Sequence, residues 1–96
     1  MKEIALLPAD TPEEVHAAFA EALGFPAHYG RNLDALHDCL GGIAEPTRVT
    51  LYDLAGWRRR LGADFCGRLA AALAAAAADN PSFRACWTLA AAPRGA

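Results

Sequence analysis

The stretch Leu23-Gly24-Phe25-Pro26-Ala27-His28-Tyr29-Gly30-Arg31-Asn32-Leu33-Asp34-Ala35-Leu36-His37-Asp38-Cys39-Leu40-Gly41-Gly42 sets the architecture of this chain. Gly24 ends a preceding helix, and Pro26, which has no amide hydrogen, keeps it from continuing. Gly30 is expected to relax a tight loop. Asn32 carries the short acceptor that caps a helix N-terminus, so a second helix should run from there to about Leu40 and stop at Gly41-Gly42. At about 100° per residue, Leu33, Leu36 and Leu40 share one side, while Asp34, His37, Asp38 and Gly41 share the other. The helix therefore buries leucines and shows two carboxylates.

Upstream, Glu3 to Leu7 is a short apolar run closed by Pro8 and reads as a buried strand. Thr11-Pro12-Glu13-Glu14 is a helix start, with Thr11 as cap, Pro12 at the first helical position and Glu14 closing a capping box. Val15, Ala18, Phe19, Ala22 and Leu23 follow as one apolar face. Downstream, Arg48 to Tyr52 favours a second strand. Asp53 can cap a short helix through Trp57 to Leu61, which Gly62 breaks, and Asp64 a longer one to about Ala78 with Phe65, Leu69 and Leu73 buried. Asn80-Pro81 is a stop and turn. Ser82 to Leu89 alternates as a third strand, with Phe83, Ala85, Trp87 and Leu89 against Arg84, Cys86 and Thr88. Strands separated by helical crossovers lie parallel. The expected fold is α/β: a three-stranded parallel sheet packed against about four helices.

A chain of 96 residues fits one domain, expected over 1–89 with a flexible tail at 90–96. No apolar run reaches the roughly 18–20 residues of a membrane span. Met1-Lys2-Glu3 carries an acid and does not read as a secretory leader. Cys39, Cys66 and Cys86, an odd set without motif spacing, suit free thiols in a reducing cytoplasm; Cys39 and Cys86 are expected to be mostly buried and inert. Residues 1–45 hold eight acids against Lys2 and Arg31, a net charge of −6. Residues 46–96 hold seven arginines against three acids, a net charge of +4. The acidic half is either plain solvated surface or a docking surface for a basic partner.

The residues that would make an enzyme are missing. Cys39, His37 and Asp38 are sequence neighbours, which fan apart on a helix, and there is no Gly-rich phosphate loop, GxSxG or CxxC. Asp34, His37 and Asp38, with His28 upstream, could take a zinc or nickel ion, but the spacing is not that of a zinc motif, so no metal or other cofactor is expected. Arg58-Arg59-Arg60 reads as a solvated helix end that suits the helix dipole, not as a nucleic-acid contact.

The stretch from Leu23 to Gly42 is similar to the core motif of the barstar family: a proline, then Tyr29-Gly30, then Asn32-Leu33-Asp34-Ala35-Leu36, then Asp38-Cys39-Leu40 and a glycine. The rest of the chain matches in length and element order. The resemblance implies a barstar-like fold and a cytoplasmic inhibitor, monomeric when free, of a basic secreted ribonuclease. In this family the second helix and the loop before it plug the enzyme's active site, carboxylates standing in for RNA phosphates. Asp34 and Asp38 fall on the two key acid positions, with Asp38 as the central plug. Gly30, Asn32 and Gly42 match positions that shape or line the surface. Departures are equally plain. His28 and His37 replace contacting aromatics, Ile43 stands where another aromatic is usual, and the family's acid on the last long helix has no clear counterpart, Asp79 being out of register. These departures leave the target's identity open and keep a second reading in view, a barstar-fold module for some other basic protein.

His28 and His37 beside two acids imply pH-sensitive binding. Protonation below about pH 6.5 adds positive charge to an acidic face. Affinity for a basic ribonuclease should fall between pH 8 and 5.5, with the enzyme's own titration controlled; a flat profile would end the idea.

Overall fold

The computed structural model describes residues 1–93, so residues 94–96 of the expected tail lie outside the described residues. The elements are β1 (Lys2–Leu6), α1 (Pro12–Leu23), α2 (Leu33–Gly41), β2 (Thr47–Leu51), α3 (Leu54–Leu61), α4 (Ala63–Asp79) and β3 (Phe83–Trp87). The strands pair in parallel in the order β1-β2-β3. The chain is thus an α/β domain with a three-stranded parallel sheet and four helices, as its sequence implies.

Local chemistry sets the helix ends. The Thr11 hydroxyl accepts from the Glu14 amide at 3.2 Å while the Glu14 carboxylate accepts from the Thr11 amide at 3.1 Å, a complete capping box. Gly24 ends α1 in the left-handed region, φ 68°. Asp53 caps α3 by accepting from the Gly56 amide at 3.1 Å. The expected Asp64 cap is not formed: α4 begins two residues earlier than that cap implies, at Ala63, and Gly62 precedes it with no side-chain cap. Asp64 lies instead in the first helical turn, where its charge meets the positive end of the helix dipole.

The core lies between the sheet and the helices. Val49, Leu51, Phe83 and Leu6 from the strands are buried, together with Phe19, Leu36, Leu40, Trp57, Leu69 and Leu73 from the helices. Trp57 donates its indole N–H to the Tyr52 carbonyl at 2.8 Å and meets Trp87 edge-on, ring centroids 5.5 Å apart. α2 packs on α4, and α4 packs on β3 and α3.

Two expectations need correcting. β1 is not a buried strand. It lies at the sheet edge, Lys2, Glu3 and Ala5 are exposed, and only Leu6 is fully buried. Cys86 is exposed and Cys39 half-buried, so neither thiol is sequestered as expected; Cys66 is the buried one. One cause accounts for β1 and Cys86. In register, Glu3, Arg48 and Arg84 form one row and Ala5, Thr50 and Cys86 another. Both rows point away from the face that carries Leu6, Val49, Leu51 and Phe83, and Glu3, Ala5, Arg48, Arg84 and Cys86 are exposed. The third strand also ends at Trp87 instead of Leu89, which is 76% exposed.

Asn80 does more than stop a helix. It is buried; its amide donates to the carbonyls of Leu40 and Ile43, both at 2.9 Å, and its side-chain oxygen accepts from the Ser82 amide at 3.0 Å. One side chain thereby ties the end of α2 to the start of β3. Asn80→Ala strands the Ile43 carbonyl and the Ser82 amide, leaves the Leu40 carbonyl to backbone amides alone, and should cost about 2–4 kcal/mol in urea denaturation, with an unchanged m-value. A loss below about 1 kcal/mol would mean that water replaces the clamp.

Candidate partner-binding face

Leu36 and Leu40 have no exposed surface, and they fix how α2 is turned about its axis. Asp34 and Asp38 consequently emerge on the outside, Asp38 with its side chain 84% exposed. Asp34 lies in the first turn of α2, where the dipole favours an anion. Asp38 lies one turn on, toward the negative end, and the last turn carries no base to balance it. A like-charge pair four residues apart costs about 0.2–0.5 kcal/mol. For the helix alone, Asp38 is an unfavourable choice.

The loop before α2 is anchored from below. Tyr29 is buried and its hydroxyl shares a 2.6 Å hydrogen bond with Nδ1 of His16 on α1. Phe25 packs edge-on against the Tyr29 ring at 5.0 Å. Burial pushes the Tyr29 hydroxyl up to about 12, Cys39 adding to the effect and Arg31 opposing it. Gly30 is not the residue that takes the unusual turn; Arg31 is, at φ 53°. A side chain at Gly30 would press Ala35 Cβ and the Asn32 amide, each at 3.3 Å, so glycine there serves close approach. Asn32 accepts from the Ala35 amide at 2.8 Å and donates to the Gly30 carbonyl at 3.3 Å, capping the helix and holding the loop together. His28 is exposed on this loop.

Beyond the far end of α2, Gly42 and Ile43 flank Asp38 around a hollow of ≈ 290 Å³. A second hollow of ≈ 520 Å³ joins Asp34 and Asn32 to His16 and Arg68. His37 is half-buried and reaches α4: its Nε2 lies 2.9 Å from Asp79 Oδ2, while Nδ1 is 3.6 Å from Asp38 Oδ1. A carboxylate only accepts, so Nε2 carries the hydrogen. Asp79, set aside as out of register, thus stands beside the face, brought there by the packing of α4 on α2. Among the described residues no group of three His, Cys, Asp or Glu side chains could hold a metal ion.

The sequence model of the family described as Barstar (barnase inhibitor) matches residues 2–88, nearly the whole described chain. This chain belongs to the barstar family. It is also similar to a Bacillus subtilis (strain 168) protein named "Putative ribonuclease inhibitor YrdF", 57% identical over 30 residues. That match spans 31% of this chain and 33% of the relative.

Within this face the sequence alone assigns no role to His16 or Arg31 and leaves Asp79 out of register. His16 stands three residues before Phe19 and seven before Leu23, a helical spacing that does point inward. Nothing local reveals Asp79, because its partner is 42 residues away.

His16 links the face to pH. Burial holds its imidazole below the ordinary histidine value, Arg31 reinforcing this and Glu13 opposing it. In the unfolded chain the ring titrates near about 6.5 and takes up its proton first. The His16 contribution to stability is therefore complete above about pH 6.5 and is lost as the pH falls from there through the folded-state value. Urea denaturation at pH 8 and pH 5.5 should show a lower stability at the acid end. His16→Gln, which keeps a hydrogen-bonding group near Tyr29, should remove part of that difference; an identical pH dependence in the variant would exclude His16 as its source.

Proposed function

We propose that this chain inhibits a basic, secreted, barnase-type ribonuclease by covering its active site with α2 and the loop before it. The observation that carries the reading is the exposure of Asp34 and Asp38 on the outer face of a helix whose inner residues Leu36 and Leu40 are fully buried, in a chain of the barstar family. A carboxylate presented to a bidentate arginine forms a strong, short bond, and two of them on a rigid helix mimic successive phosphates. Charge steering of association is a known property of the barnase–barstar pair, and the net charge of −6 on residues 1–45 supports the same behaviour here. His28, Asn32, Gly30, His37, Gly42 and Ile43 complete the contact surface, and Asp79 extends its acidity from α4.

In this reading the protein is a cytoplasmic immunity factor that guards the producing cell from its own toxin. It acts by occlusion, not catalysis, needs no cofactor, touches no nucleic acid and is a monomer until it meets the enzyme. Residues 1–89 form the working domain. The second reading, another basic protein as target, is favoured by His28, His37 and Ile43 in place of aromatic anchors. Aromatics carry much of the binding energy in many interfaces, so their loss changes which partner fits best. The 2.9 Å bond to Asp79 also bears on the pH expectation, since a proton on His37 would lie between Asp38 and Asp79 and offset their charge.

The test is RNA cleavage by purified barnase, with and without the protein. Stoichiometric inhibition is expected, reduced at least 100-fold by Asp38→Ala. The same variant should be more stable than the parent by about 0.5–1.5 kcal/mol, because it relieves the repulsion with Asp34 and the clash with the dipole and gains alanine's helix propensity. Inhibition that survives Asp38→Ala would remove Asp38 from the central role. Absence of inhibition by the parent would transfer the weight to another basic partner.

A further inference from the structure

Three helices begin around the hollow of ≈ 520 Å³ at the start of α2. Pro12 is the first residue of α1, Leu33 and Asp34 are the first two of α2, and Phe65 is the third of α4. The first amides of a helix have no partner within it, and its dipole has its positive end there. Arg68 adds a full positive charge to the lining and Asp34 a full negative one. Among the described residues neither takes part in an ion pair, with the other or with any third group. Pro12, Leu33 and Phe65 supply apolar wall. The hollow thus sets two opposite, unpaired charges on an apolar lining.

His16 also lines it, although only 4% of the residue is exposed. Burial holds its ring below the ordinary histidine value, so the ring is neutral at pH 7 and carries one hydrogen. Among the described residues the Tyr29 hydroxyl has a single hydrogen-bond partner, His16 Nδ1 at 2.6 Å. The hydroxyl hydrogen has no other acceptor, so Nδ1 accepts it and the ring hydrogen sits on Nε2. That N–H has no acceptor among the described residues, and it is not sealed in, since no buried side-chain nitrogen there lacks a partner. A side chain more than nine-tenths buried therefore presents an unpaired donor to the hollow it lines.

We propose that this hollow binds a free amino acid with an apolar side chain. Its carboxylate lies on Arg68 and the Nε2–H of His16, its ammonium on Asp34, and its side chain against Pro12, Leu33 and Phe65. A plain anion would lie beside the Asp34 carboxylate, and a plain cation beside Arg68; a zwitterion meets both charges with their opposites. Arginine forks onto a carboxylate, and helix N-termini favour the same group. The terminus of a folded protein or peptide brings only one of the two charges and leaves the other side of the hollow unpaired. The volume lies within the range of small-molecule sites. None of these contacts involves a partner protein, so the ribonuclease-inhibitor reading can fail while this site stands.

The experiment titrates the full chain with leucine at neutral pH, followed by proton–nitrogen NMR and by calorimetry. Leucine should bind saturably with a dissociation constant of about 1 mM or tighter. The shifts should centre on the amides of Leu33, Asp34, Phe65 and Arg68 and on the ring nitrogens of His16. N-acetyl-leucine has no ammonium and leucinamide no carboxylate, and each should bind at least tenfold more weakly. Arg68→Ala and Asp34→Asn alter exposed positions, and thermal melting establishes that both variants are folded. Each should weaken leucine binding at least tenfold. The assignment is overturned by any of four results: no saturable shift up to about 20 mM leucine, shifts centred elsewhere, either leucine derivative binding as tightly as leucine, or full affinity in either folded variant.

Discussion

The burial of Leu36 and Leu40 against α4 is the contact on which the rest of the face depends. An α-helix offers each residue one direction, about 100° from the next. Once two leucines a turn apart are locked in a core, every other side chain on α2 has its direction assigned. Asp34 and Asp38 must then face out. Rotating the helix to hide them would expose both leucines and desolvate two carboxylates, each an expensive change. The acidic face is the necessary reverse of an apolar one.

Rigidity comes from buried polar contacts placed around that helix. Tyr29 and His16 pin the incoming loop from beneath, Asn32 holds the loop to the first turn, and Asn80 grips the last carbonyls from the far side of the fold. Among the described residues no buried side-chain nitrogen or oxygen lacks a partner. Such a frame can carry an unfavourable surface. Asp38 repels Asp34 and opposes the helix dipole, and Arg31 takes a left-handed backbone that costs a side-chain-bearing residue about 1–2 kcal/mol. Asp38 and Arg31 lie on the face proposed to meet a partner, whereas Asp53, the other residue with a left-handed backbone, caps α3.

The sheet obeys a different logic. Parallel sheets are usually covered on both faces, yet here the rows with Glu3, Arg48 and Arg84 and with Ala5, Thr50 and Cys86 face outward. The ion pair of Glu3 with Arg48 holds Glu3 below the usual carboxylate range and helps make that face compatible with water. The same outward register leaves Cys86 exposed, while Cys66 on α4 is buried.

By itself the sequence determined the order of strands and helices, most of their ends and the split of α2 into apolar and acidic sides. Each of these follows from interactions within a few residues: a cap three positions away, a stripe repeating every turn, a proline that cannot donate. The family motif from Leu23 to Gly42 is legible for the same reason, since it is one unbroken segment. The tertiary structure alone decided the rest. It set β2 at the centre and β1 at the edge, brought Asp79 to His37 and Asn80 to Leu40 across about forty residues, and made Arg31 rather than Gly30 bear the strained turn. Those outcomes depend on which segments meet in space, and alternation within a strand cannot say which of its two faces will be covered.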